Sequence, residues 1–231
     1  MSRGRVVPPT GHGDLVVSLV LIAPLLLAYD LGVLVTPAAS GVDLLTRPLL
    51  AACGGRVAVY LLVHAGAAAA LLWWVRQSGR ARALSADVVG PVVVEAAIYA
   101  LTLGGLLAVI VHDVLGLGAR GGGVAIAVVT SLGAGVHEEL LFRLGAFAGG
   151  LALLRRAGVA PRLAWGLAVV ASSLLFAAAH HVGELGEPLR ASAFVFRALA
   201  GVAFACIFYF RSLAHAAYAH VLYDLYVTAI R

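Results

Sequence analysis

Apolar residues run through this chain in long blocks, and the polar residues gather in the gaps between them. The blocks cover residues 14–36, 56–75, 88–111, 122–154, 163–181, 192–210 and 212–230. Several pass the ~18 apolar residues that mark a helix able to cross a bilayer. The gaps carry the punctuation: Pro37 to Arg47, Arg76 to Asp87, Asp113 to Gly123, Arg155 to Arg162, and Gly183 to Arg190. The pattern predicts an all-α, polytopic integral membrane bundle of about seven transmembrane helices. It reads as one membrane domain over residues 1–231, with no soluble appendage and no internal repeat. The fourth block is long for one crossing, and Gly133 and Gly135 are expected to break or kink it. Small residues at Gly66 to Ala70 and Gly145 to Gly150 are expected to permit close helix packing in lipid.

Composition supports this reading. The chain is 62% hydrophobic and only 12% charged, against roughly 25% charged in soluble proteins, and its mean hydropathy is +1.02. All basic residues are arginine, and there is no Lys or Asn. With abundant Ala, Gly and Val, that bias points to a GC-rich bacterial source. The net charge of +5 does not indicate nucleic-acid binding, because the arginines lie between apolar blocks and form no basic patch. Their distribution sets an orientation. With the N-terminus cytoplasmic, the inner segments hold nine arginines (3, 5, 76, 80, 82, 155, 156, 162, 211) and the outer segments five (47, 56, 120, 190, 231). The positive-inside rule favours that arrangement. The first block is longer than a signal-peptide core, so it reads as a retained helix. Cys53 and Cys206 read as small buried hydrophobes.

A few ionisable residues interrupt the blocks. A carboxylate in the bilayer interior costs roughly 2.5–3.5 kcal/mol even on the lenient insertion scale, so such residues are functional by default. Three constellations stand out. In Glu138-Glu139-Leu140-Leu141-Phe142-Arg143, the four-residue spacing stacks Glu139 on Arg143. Glu138 projects about 100° away, free to face a cavity. Two adjacent glutamates thus acquire different environments, which lets one stay ionised while the other acts as a base. In Phe176-Ala177-Ala178-Ala179-His180-His181, Phe176 and His180 share a face. In His220-Val221-Leu222-Tyr223-Asp224, Asp224 either orients the ring or joins it in binding a metal. His181 and His215 read as ordinary structural histidines, and Asp30 and Glu95 as structural or interfacial acids.

The order EExxxR, FxxxH, HxxxD on three apolar segments resembles the CPBP family, the CAAX-processing and bacteriocin-processing (Abi-like) intramembrane proteases. The likeness covers about residues 122–228. His137 to Arg143 is close to the family's core signature, and Arg211-Ser212-Leu213 resembles the lead-in to its last motif. Residues 1–121 hold N-terminal transmembrane helices that match no motif. The resemblance implies a helical fold with a catalytic chamber within the membrane. By motif position, Glu138 and His180 would activate water, Glu139 and Arg143 would support them, and His220 and Asp224 would stabilise or orient the oxyanion. The family's last motif usually reads HxxxN. Here Asp224 replaces the amide, and an ionised carboxylate cannot donate to an oxyanion.

No cofactor is expected on this reading. A divalent metal, zinc for instance, held by Glu138, His180, His220 and Asp224 is the mechanistic alternative. The expected partners are a membrane-anchored protein or peptide substrate and the lipid bilayer. The expected place is the bacterial inner membrane, with the chamber facing the extracytoplasmic side. The resemblance extends to the branch proposed to act on C-terminal sorting signals, the myxosortase-like systems. Two other functions use similar residues. A non-catalytic immunity or assembly factor of the same family would keep the fold without the chemistry. A proton-coupled transporter would also need intramembrane Glu, His and Asp, but it favours internal repeats.

Overall fold

The computed structural model describes residues 15–36, 43, 45–77, 85–109, 124–182, 186 and 188–229. Arg3, Arg5, Arg80, Arg82, Arg120, Arg231, Glu184, Glu187 and the gap at 110–123 lie outside the described residues. The described residues are almost entirely helical, with no strand among them. In chain order the helices are α1 (Leu15–Val35), α2 (Thr46–Ala52), α3 (Val57–Gln77), α4 (Ala86–Val109) and α5 (Val124–Glu138). A π-helical segment (Glu139–Gly149) follows, then α6 (Gly150–Arg156), α7 (Pro161–Ala179), α8 (Ala191–Phe210) and α9 (Leu213–Ala229).

Among the described residues, six of the apolar runs are long enough to cross a membrane, with α5, the π segment and α6 forming one of them. The protein is a polytopic helical membrane protein. The seventh expected span, α9, has 17 residues, just short of the ~18 that mark a crossing. It packs against α1, α4, α5, α8 and the π segment. Its His215 and His220 are buried against protein, which is how a bundle accommodates polar side chains that lipid would reject. By contrast, α3 lies at the edge, in contact with α1 and α2. Only its Tyr60 and Val75 are buried, while Leu62 and Trp73 are among its exposed apolar side chains.

Two expectations need correction. First, Gly133 and Gly135 do not break the fourth block, since α5 runs through both. They permit close approach instead. A Cβ on Gly135 would lie 2.3 Å from Val221 Cγ2 and 3.0 Å from the Ala217 carbonyl, both on α9. A Cβ on Gly133 would lie 2.4 Å from the Tyr29 ring on α1. Second, the small residues expected at contacts do not all serve there. A side chain at Gly66, Gly149 or Gly150 would meet nothing within 4 Å.

The winding instead changes between the two glutamates. Bonding shifts from i→i−4 to the wider π pattern at Glu139 and persists for 11 residues. Extended π-helix is rare, and short π stretches recur at functional sites. Around this segment packs an aromatic and small-residue core. Phe142, Phe176 on α7 and Phe204 on α8 lie with Ala96, Ala100, Ala216 and Ala219 of α4 and α9. The alanines let those helices approach closely, and the rings fill the space between them.

Candidate active site: a buried carboxylate and histidine cluster

The change of winding brings all six residues singled out in the sequence into one cluster. Glu138, Glu139, Arg143 and His220 are 5%, 0%, 1% and 3% exposed. His180 caps the end of α7 and, like the Asp224 side chain, keeps part of its surface open. The partly exposed edge of the cluster thus lies at the end of α7, where His180 stands.

Glu139 is held from two sides. Its Oε2 lies 3.0 Å from Arg143 Nε, although the N–H does not point along that line and makes no aligned hydrogen bond. Its Oε1 accepts a hydrogen bond from His220 Nδ1 at 2.8 Å. The buried Arg143 guanidinium lies over the rings of Phe176 and Phe204, 4.4 and 5.3 Å from their centroids. Cation–π contact of this kind stabilises a desolvated cation that few hydrogen bonds reach. Phe204 also stacks on the His220 imidazole, with centroids 4.5 Å apart and planes at 12°. The ring is thus fixed in position by a carboxylate on one edge and an aromatic face.

Glu138 is placed differently. Among the described residues its buried Oε2 has no hydrogen-bond partner. It stands 3.7 Å from His180 Nε2 and 3.8 Å from His220 Nε2, both too long for a direct hydrogen bond. His180 Nδ1–H donates to the Phe176 carbonyl at 2.8 Å, because a carbonyl can only accept. In the neutral ring that leaves the Nε2 lone pair facing Glu138. Two acceptors therefore confront each other across a gap that needs a donor. Asp224 Oδ2 lies 3.7 Å from His220 Nε2, so the short bond to His220 comes from Glu139 and not from the i+4 carboxylate.

Two further contributors come from α8, neither of them assigned to the site by the sequence. Arg197 lies within electrostatic reach of both Glu138 and His180, and Phe204 lies two turns further along α8. Their signal was there: an arginine inside an apolar block, with an aromatic seven residues on, on the same helix face. Among the described residues, no group of three His, Cys, Asp or Glu is placed to hold a metal ion.

The buried Asp30 and the half-buried Asp43 and Glu95 find partners across helices. Asp30 on α1 takes His64 of α3 at 2.8 Å and a hydrogen bond from Thr46 of α2. Asp43 accepts the Tyr29 hydroxyl at 2.9 Å and the Thr46 backbone N–H at 2.8 Å, and lies 3.7 Å from His137 Nε2. This network ties α2 to α1, α3 and α5. Glu95 on α4 binds Arg211 and Tyr99 and lies 3.5 Å from His215. His215 Nδ1 is in turn 2.7 Å from the Ser212 hydroxyl that caps α9.

No curated protein and no solved structure matches the chain. The family comparison covers the stretch that carries the cluster. Residues 120–226 match the model of the Type II CAAX prenyl endopeptidase Rce1-like family, so the stretch that carries the cluster is similar to the CAAX-type intramembrane proteases.

Proposed function

We propose that the protein is an intramembrane endopeptidase that hydrolyses a peptide bond near the membrane-associated C-terminal end of a protein substrate. One observation carries this reading: the unpartnered Oε2 of Glu138 facing the lone pair of His180 across 3.7 Å. A water seated beside the pair, about 2.8 Å from each atom, donates to both groups. As its oxygen attacks the scissile carbonyl carbon, its proton passes to the pair and is later returned to the leaving amine. General acid–base groups placed this way typically contribute 10²–10⁴-fold.

His220 completes the site. With Nδ1–H committed to Glu139, a proton on Nε2 serves as donor to the developing oxyanion. Oxyanion donors of this kind typically contribute ~10²–10³-fold. Asp224 stands beside that nitrogen as a charge partner. The mechanism uses no metal. Following the positive-inside orientation, the open end at His180 faces the extracytoplasmic side of a bacterial inner membrane. Substrates are then exported proteins with membrane-proximal tails, as in C-terminal sorting.

The test compares the C termini of the host's membrane proteins in strains carrying the wild-type chain, Glu138→Ala, His180→Ala or His220→Ala, at matched protein levels. Processed C termini should disappear in the variants. Wild-type-like processing by Glu138→Ala or His180→Ala would overturn the hydrolase reading and favour a non-catalytic role.

A further inference from the structure

A cavity of about 450 Å³ lies at the opposite end of the bundle from His180. It sits where α1 begins, α6 and α8 end and α9 begins, and the π segment forms one wall. No residue of the carboxylate–histidine cluster lines it. Leu144, Leu151 and Phe208 make its walls mostly apolar. Arg155, in the last turn of α6, stands in the lining and is exposed. The described lining contains no acidic residue.

Its depth in the membrane follows from its neighbours. Trp165 packs against Tyr209 and Phe210 at ring separations of 5.7 and 6.4 Å, and Tyr209 also lines the cavity. Arg155, Arg156, Arg162 and Arg211 cluster at the same helix ends. Aromatic rings and arginines gathered at helix ends mark the headgroup level of a bilayer. The cavity thus joins an apolar slot to a cation at the depth where lipid tails meet headgroups, and its volume is in the ordinary range for a small-molecule site, roughly 300–1,000 Å³.

We propose that this cavity is a binding site for an anionic phospholipid. An acyl chain lies along Leu144, Leu151 and Phe208, and the phosphate pairs with Arg155. A zwitterionic lipid of the same chain length fills the slot but gains less at the arginine, because its own cation offsets the phosphate. The site is independent of the proteolytic reading, since none of its lining residues touches the reacting groups. Because its wall is the π segment that carries Glu139 and Arg143, an occupied cavity also stabilises the fold.

The full chain, purified in mild detergent, is offered phosphatidylglycerol or phosphatidylcholine of identical acyl chains. Retained lipid is read by native mass spectrometry and stability by thermal melting. Phosphatidylglycerol should be retained about fivefold better, the factor one arginine contributes at an anionic surface, and should raise Tm. Arg155→Ala, a change at an exposed position, should abolish that preference while leaving the protein folded. Ala152→Trp, which fills the slot from an exposed lining position, should reduce retention of both lipids. Equal retention of the two lipids by the wild type would overturn the proposal, as would an unchanged preference in Arg155→Ala. Glycerol phosphate binding as well as the whole lipid would show an anion site without an acyl slot. Lipid-insensitive cross-linking between copies through Ala152→Cys would put a second chain there. Either result also overturns it.

Discussion

His220 Nδ1 lies 2.8 Å from Glu139 Oε1, a bond that joins α9 to the first residue of the π segment. Glu139 is therefore the hub of the cluster, with Arg143 on one oxygen and His220 on the other. Glu139→Ala leaves Arg143 buried without its carboxylate. Removing one partner of a buried pair typically costs roughly 3–5 kcal/mol. Denaturation in detergent should show a loss of that order. The double variant Glu139→Ala/Arg143→Leu should be more stable than the two single losses added together, as expected for coupled neighbours.

Asp224 gives a graded test of the oxyanion side. It lies 3.7 Å from His220 Nε2, too long for a direct hydrogen bond to that nitrogen. Asp224→Asn keeps the shape and supplies an amide donor. Turnover should stay within about tenfold of wild type, whereas Glu138→Gln should lose roughly 10²–10⁴-fold. A comparable collapse in Asp224→Asn would make the carboxylate charge essential.

Metal dependence is open to direct measurement. Processing by protein dialysed against a chelator should persist, and elemental analysis should find no stoichiometric zinc. Loss of activity restored by zinc would recast Glu138, His180, His220 and Asp224 as ligands.

Gly135→Ala tests the close approach of α5 to α9. The added methyl meets Val221 and the backbone of α9 at 2.3–3.0 Å, so the helices must separate. Overpacking of this kind costs about 1–3 kcal/mol, to be read as a lowered Tm. The same change at Gly149, where a Cβ meets nothing within 4 Å, should be tolerated.

Orientation can be read by labelling single cysteines at Gly186 and Ala157, which follow and precede α7. An impermeant reagent added from outside should reach Gly186→Cys and not Ala157→Cys. Labelling of both from the same side would overturn the assignment of the open end to the extracytoplasmic face.

The sequence by itself determined the class of the protein and picked out the six residues that the fold gathers into one cluster. Lipid requires every spanning backbone group to be bonded within its own segment. The blocks therefore had to be helices, and their ends fall within a few residues of where the apolar runs stop. The cost of a charge in hydrocarbon singled out Glu138, Glu139 and Asp224, and the histidines entered through their helical spacing, His180 four residues after Phe176 and His220 four before Asp224. What spacing along one helix reveals is limited to neighbours three or four residues apart. It showed Glu139 beside Arg143 and placed Asp224 beside His220. It did not show that Glu139 accepts a hydrogen bond from His220 Nδ1, 81 residues away, that Glu95 meets Arg211 across 116 residues, or that Asp30 has His64 as its partner. Nor did it place Arg197 and Phe204 at the cluster. Those pairings belong to the tertiary structure, because they depend on which helices pack together and how closely, which spacing along a single helix does not encode.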